Sequence, residues 1–403
     1  MVSKMNNFNF FTLTSIQTGI YVCVSAIMVG HILLTKFGLH TALVSLAIGS
    51  MFLWISALIF ARISFLRKKV LVDLVSDYFG KRGAQVCGVA FAASLLGWFA
   101  IQLEMISKGV HNLFPQIPVL LGDIVFGALI TFNVLRGIKS IGRLADFSMP
   151  FLLCTMIFIF IRSYSPDIHL QLHAIAPKAY DYLGAISFII AASIGGVIDT
   201  PTYFCESRSQ RDSYIAVTLV YVIILPLITM MGIFLGICTG VDDFILSIMS
   251  LGGSTWKMMM LIFLIIAGWT TNNGNLYSAC VALGPCCKSL YKTRVLCLGF
   301  AGIGLAYLEI VEHFVEGVGA MSIMIGALGA GLLVRFISTQ CLDILPNKIE
   351  QKRYIFMILL GSSIGFLNVL GVFNLTESGF LDAFLVTAVA AFLYEVGKKC
   401  ITK

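Results

Sequence analysis

Twelve times between residues 11 and 397 the chain passes through a mostly apolar stretch before it meets a charged or turn-forming break. A helix needs about 20 such residues to cross the hydrocarbon core of a bilayer. Marked this way, the spans fall near 11–34, 40–66, 84–110, 117–135, 145–162, 183–204, 214–238, 256–283, 295–312, 314–337, 354–374 and 379–397. Composition excludes a soluble fold: 59% of the residues are hydrophobic and 12% charged, against roughly 45–50% and about 25% in ordinary soluble domains. No soluble domain fits in the connections, the longest of which is the polar stretch from Ser163 to Tyr182. The expected fold is all-α and integral to the membrane, a single domain of twelve transmembrane helices.

The basic residues orient it. With both termini cytoplasmic, 22 of the 27 Lys and Arg fall on the inner side, and only Lys36, Lys108, Arg162, Lys178 and Lys257 fall on the outer side. The bias holds at every inner loop, as the positive-inside rule requires, and one missed span would have scrambled all later loops. The formal charge of +7 belongs to these loops beside an anionic leaflet and does not signal nucleic acid. The first apolar stretch is too long for a signal h-region and lacks a small-residue cleavage site, so it is expected to stay in the mature protein. Eleven cysteines lie mainly in the spans without metal-type spacing, and most read as small buried hydrophobes.

Against this background the eighth span stands out. Gly268-Trp269-Thr270-Thr271-Asn272-Asn273-Gly274-Asn275-Leu276-Tyr277 sets two hydroxyls and three carboxamides in an apolar stretch. Buried polar groups without partners cost a few kcal/mol each, so such a cluster inside a membrane reads as a functional site. Thr270 and Thr271 can offer hydroxyl oxygens to a hard cation such as sodium, with the Ala267 carbonyl one turn earlier on a similar face. Bonding of the hydroxyls to their own helix carbonyls would also explain two threonines. It would not explain Asn272, Asn273 and Asn275.

In the third span Trp98 and Gln102 are four residues apart and share a helix face. An indole beside a carboxamide suits a flat heteroaromatic solute, stacked on Trp98 and hydrogen-bonded at its edge by Gln102; a packing aromatic with an interhelical amide is the competing reading. The sixth span carries Gly195, Gly196, Asp199 and Pro201. Gly and Pro release backbone groups from the helix ladder, which membrane proteins tolerate where those groups line a cavity, so this helix is expected to be interrupted. Asp199 either accepts a proton, holds a cation or bonds a ring N–H, or is paired near the inner end with a base such as Arg208.

At these residues the chain resembles the nucleobase–cation symporters, and within them the cytosine permeases. The eighth-helix pattern of that family, Trp-Thr-Thr-Asn followed by Leu-Tyr, stands here as Trp269-Thr270-Thr271-Asn272 and Leu276-Tyr277, and its third-helix Gly-Trp-Phe as Gly97-Trp98-Phe99. Thr200 to Ser209 align loosely with the end of its sixth helix. The resemblance implies a leucine-transporter-type fold: a five-plus-five inverted repeat (helices 1–5 in residues 1–163, helices 6–10 in 183–337) with two extra C-terminal helices in 354–397. It implies a substrate site near the midplane formed by Trp98, Gln102, Gly196 and Asn272 or Asn275. The cation would be held by Ala267, Thr270 and Thr271, completed by first-helix backbone near Met28 to Gly30. In helix 10 the family usually carries Pro-Pro, Gly-Val and an Asp-Tyr pair, where this chain has Gly326-Ala327, Gly329 and Arg335-Phe336, so a differently built tenth helix is expected. Leu95 and His31 depart from the family pattern as well.

The expected function is secondary active import of a neutral pyrimidine-like base, cytosine or a related heterocycle, coupled to Na+ or to H+ through Asp199. No cofactor is implied, the partners are the solute and the bilayer, and the chain is expected to act as a monomer in the cell (inner) membrane. No phosphate-binding loop is present. An amino-acid or amine permease on the same fold is the main alternative. A membrane enzyme using Asp199, Glu104 and His31 lacks any nucleophile or metal spacing, and a channel would not accumulate solute against a gradient.

Overall fold

The computed structural model describes residues 7–163, 181–239, 244–287, 289–339 and 346–401. The long connection before the sixth span lies largely outside these residues, as do Lys4, Lys178, Lys288 and Lys403 of the charge count. Among the described residues the structure is helical, apart from one isolated bridge between Phe8 and Ser207. Eight helices are individually long and apolar enough to cross a membrane, and a ninth crossing is made by two half-helices, Phe10–Tyr21 and Val24–Phe37, that meet at 56°. Val119–Val134, Tyr291–Ala306 and Lys348–Val369 complete the twelve spans at the positions expected.

The first span breaks where the sequence carries neither Gly nor Pro. Val22 (φ −78°, ψ 75°) and Cys23 (φ −136°, ψ 162°) leave the helical region, a conformation that β-branched residues adopt readily. Cys23 N–H turns back to Tyr21 O at 2.9 Å, so the carbonyl of Gly19 loses its usual donor four residues on. The break thus leaves acceptor oxygens at the negative end of a helix dipole.

The sixth span is interrupted more gently, with Tyr182–Ile198 followed by Asp199 and the short helix Thr200–Phe204. Pro201 sits in the first turn of that short helix, where its missing N–H costs nothing. The first span of each set of five is therefore the broken one. In the seventh span a π-helical turn, Leu219–Ile224, lies between two α-helical parts. Its second part meets the first span at backbone contact: a Cβ on Gly30 would lie 1.9 Å from Thr229 O, and one on Gly232 1.8 Å from Ile27 O.

The third span is longer than expected, Leu71–Leu113, because a short preceding helix joins it at Gly80 (φ 72°), a left-handed conformation that suits glycine. It lies against the eighth span, Ser254–Ala282, where Asn272 Nδ2 donates to Phe99 O at 3.0 Å. This contact brings the two motifs of the sequence side by side.

Arg335 is buried at the end of the tenth span and donates to Glu395 Oε1 at 2.6 Å, with Glu350 3.8 Å away. Tyr354 donates to the same Glu395 oxygen at 2.5 Å, and Lys398 reaches Glu350 at 2.6 Å. The tenth helix is thereby tied to the eleventh and twelfth. The cysteines are free where described, but only Cys23, Cys87, Cys205 and Cys280 are buried. Cys154, Cys286, Cys287 and Cys297 are exposed, which corrects the expectation of mostly buried thiols.

Candidate functional site

A cavity of about 840 Å³, its mouth included, opens between the first, third, sixth, seventh, eighth and tenth spans. Trp98 and Gln102 face it from the third span, together with Ser94 one turn before. Trp98 is held edge-to-face by Phe314, ring centres 6.0 Å apart. Gln102, fully buried, donates its Nε2 to Ser25 Oγ of the first span, while its Oε1 has no partner; the buried Ser94 hydroxyl has none either. Both unsatisfied atoms belong to residues lining the hollow, where a polar ligand would satisfy them.

From the eighth span, Thr271, Gly274 and Asn275 line the cavity. Asn272 does not. It is fully buried, donates to Phe99 O, and accepts from Asn275 Nδ2 at 3.2 Å, so it braces Asn275 from behind. Asn273 is buried with both amide atoms unpartnered, and it too lies off the cavity lining.

The two threonines differ. Thr270 Oγ1 bonds its own helix at Ile266 O (3.0 Å) and Ala267 O (2.9 Å). Thr271 Oγ1 lies 2.8 Å from Gly19 O, 3.4 Å from Ile20 O and 2.9 Å from Ala267 O. Three carbonyls and a hydroxyl thus converge at the first-span break, two of the carbonyls from the end of a half-helix. Neutral oxygens gathered in this way suit a hard monovalent cation. The first-helix carbonyls that Thr271 meets are those of Gly19 and Ile20, while Gly30, in the segment Met28 to Gly30 expected to complete the ion site, makes the close contact with Thr229.

Gly196 also lines the cavity, and the reason it is glycine is Tyr21: a Cβ there would sit 2.3 Å from the Tyr21 hydroxyl. That hydroxyl bonds Ser193 O and Tyr221 Oη, each at 2.9 Å, joining the first, sixth and seventh spans beside the break. Asp199 stands on the lining of this cavity and of a second, smaller hollow bounded by Thr202, Ser278, Val72 and Cys87. It accepts from Thr202 Oγ1 at 2.5 Å and from Ser278 Oγ, and Ser278 is in turn 2.7 Å from the Tyr203 hydroxyl. Arg208 pairs with Asp212 instead, so the expected structural alternative for Asp199 fails, and no ion pair to it occurs among the described residues.

No protein-family profile matches the sequence, and no curated protein matches it. Solved structures do. The inward-facing structure of Mhp1 aligns over 99% of this chain and 95% of its own, with a TM-score of 0.75 at 14% identity. A closed Mhp1, described as a nucleobase-cation-symport-1 family transporter with bromovinylhydantoin bound, aligns over 98% and 94% at a TM-score of 0.73 and 16% identity. The chain has the leucine-transporter-type fold. A substrate-bound, outward-open Na+-coupled sialic acid symporter shares it, over 97% and 90% of the two chains, at a TM-score of 0.74 and 10% identity. Identities this low establish the architecture, an all-α membrane transporter fold, and leave the solute to be argued from the lining.

Sequence reasoning missed Tyr21, Ser25, Ser94, Thr202 and Ser278. Ser94 was findable, since it lies one turn before Trp98 on the same face. Thr202 was findable too, three residues after Asp199, whereas Tyr21, Ser25 and Ser278 are brought to the site by helix packing.

Proposed function

We propose that this chain is a secondary active transporter that imports a neutral, flat, pyrimidine-like heterocycle together with a cation, Na+ or H+. The observation that carries the reading is the shared cavity, in which Trp98, Gln102 and Asn275 stand within one hollow with Thr271, whose hydroxyl meets the carbonyls of the first-span break. In this reading an indole and two amides take the ring, as in ligand sites where a few placed polar groups orient a ligand against apolar walls. A cation bound between Gly19, Ile20, Ala267 and Thr271 ties the first span to the eighth and raises ring affinity, and the ring raises cation affinity by the same factor. Repeat rocking then exposes both to the other side.

Among the described residues the lining contains no Lys, Arg or His. That disfavours amino acids and other carboxylates, which this site could hold only through backbone N–H groups. The proton version rests on Asp199, which borders both hollows with no basic partner; its protonation would weaken the acceptance from Thr202 and Ser278 and so loosen the wall between them. The inner-membrane setting, cytoplasmic termini and monomeric action belong to the same proposal, and no covalent chemistry is involved.

Purified protein in liposomes separates these readings. A screen of labelled purines, pyrimidines, hydantoins and amino acids, under an inward Na+ gradient or an inward proton gradient, should show saturable accumulation of an uncharged ring. Accumulation of amino acids but no ring would overturn the proposal. Stimulation by the proton gradient alone, abolished in Asp199→Asn, would assign coupling to Asp199.

A further inference from the structure

The amides of Asn272 and Asn275 are not free to present either end to a ligand. Phe99 O is a backbone carbonyl and can only accept, so the atom of Asn272 beside it, at 3.0 Å, is the NH2 nitrogen. The Asn272 oxygen is then the atom facing Asn275, at 3.2 Å, and the atom of Asn275 meeting it is again a nitrogen. Two carboxamides in series transmit the polarity of one backbone carbonyl, and what remains of Asn275 for the cavity is its oxygen. Asn272 is fully buried and Asn275 nearly so, which leaves little room for either amide to turn over.

On the third span Gln102 turns its nitrogen to Ser25 Oγ, and its oxygen is buried without a partner. At the inner end stands Asp199, a carboxylate. Among the described residues most hydroxyls on the lining are committed, Tyr21 to Ser193 O, Tyr203 to Gly274 O at 3.1 Å, Thr229 to Leu225 O and Thr271 to backbone carbonyls, while Ser25 meets Gln102 and Cys23; those of Ser94 and Ser193 are the small donors left.

We infer that the cavity presents hydrogen-bond acceptors from the third and the eighth spans, so that it selects its ring by N–H or NH2 donors at the edges that meet Gln102 and Asn275, and that Asn272 is the positioning residue that fixes this sense at Asn275. The inference rests on the ring-binding reading above and narrows it. Rings with an N–H toward Asn275 and toward Gln102 are favoured over rings of the same shape with an oxygen, a bare nitrogen or a CH at those edges. A ring lacking the donor leaves a buried carbonyl oxygen unpaired, which the site cannot repair by turning the amide.

The test compares matched rings on the intact, purified protein by competition against a bound labelled ring. One pair is hydantoin and oxazolidine-2,4-dione, which has a ring oxygen in place of one N–H; a second is cytosine and pyrimidin-2-one, which lacks the exocyclic amine. The donor-bearing member of each pair should bind about 10- to 100-fold more tightly, the range expected when a buried acceptor is left unpaired. In Asn272→Leu, where Asn275 loses its brace and can rotate, the ratio should collapse toward one. In Asn272→Asp, whose acid form can still donate to Phe99 and accept from Asn275, the ratio should persist. Equal binding within both wild-type pairs, or an unchanged ratio in Asn272→Leu, would overturn the inference even with ring binding intact. Failure of every ring to bind would instead overturn the reading on which it rests, and the donor rule with it.

Discussion

Replacing Thr271 by Val removes one hydroxyl and keeps the side chain's shape, so the perturbation is confined to the convergence of oxygens at the first-span break. In the absence of a cation the hydroxyl donates one hydrogen bond, to Gly19 O at 2.8 Å or Ala267 O at 2.9 Å, a loss of about 0.5–1.5 kcal/mol for a neutral pair. With a cation present, one of four converging oxygens is lost from the group that joins the first and eighth spans. Coupling between two ligands is typically about 1–3 kcal/mol, or roughly a 5- to 150-fold effect of one on the affinity of the other. Titrating ring binding against sodium should therefore show most of the sodium enhancement gone in Thr271→Val, with sodium-free affinity changed by no more than roughly 2- to 13-fold on the same scale. Thr271→Ser should restore it. Thr270→Val provides the internal contrast: its hydroxyl bonds only Ile266 O and Ala267 O of its own helix, and its sodium response should stay near wild type. A wild-type sodium response in Thr271→Val, or an equal loss in Thr270→Val, would refute the cation site.

Trp98→Ala should weaken ring binding by roughly 5- to 150-fold, from the 1–3 kcal/mol that stacking of a base on an aromatic side chain contributes; competition binding on protein of unchanged elution profile checks it. Gly196→Ala drives a Cβ to 2.3 Å from the Tyr21 hydroxyl, so Tyr21 must leave Ser193 and Tyr221. Uptake should fall at least tenfold, the cost of about two hydrogen bonds, and Tyr21→Phe in the same background should recover part of it. Arg335→Met strands Glu395 beside Tyr354 and should lower stability by about 3–5 kcal/mol, visible as a fall in melting temperature that the double variant Arg335→Met/Glu395→Met partly reverses.

The spans were legible because bilayer thickness imposes a length on each apolar stretch, and the charged breaks between them are short. The first-helix break was not. Gly30 carried the usual signal for irregular backbone, yet it is a contact glycine against Thr229, while the break falls at Val22 and Cys23, whose conformations follow from packing between the first, sixth and seventh spans. In the eighth span the motif was readable as a polar cluster, but residue 273 points away from 272 and 275, which are neighbours bonded to each other. Sequence could not say which amide faces the cavity and which stands behind it; the position of Phe99 O decides that. Thr270 and Thr271 likewise look equivalent in the sequence and are separated only by which of them reaches Gly19. Arg335 announced a departure in the tenth helix without its reason, which lies further along the chain, at Glu350 and Glu395.

The most direct measurement is an experimental structure of the protein with sodium and a ring it takes up. Density for the ring should lie flat against Trp98, with N–H edges toward Gln102 Oε1 and Asn275 Oδ1, and an ion should sit among Gly19 O, Ala267 O and Thr271 Oγ1. A ring bound outside this hollow, or a ring within it that leaves Trp98 uncovered, would contradict the central claim.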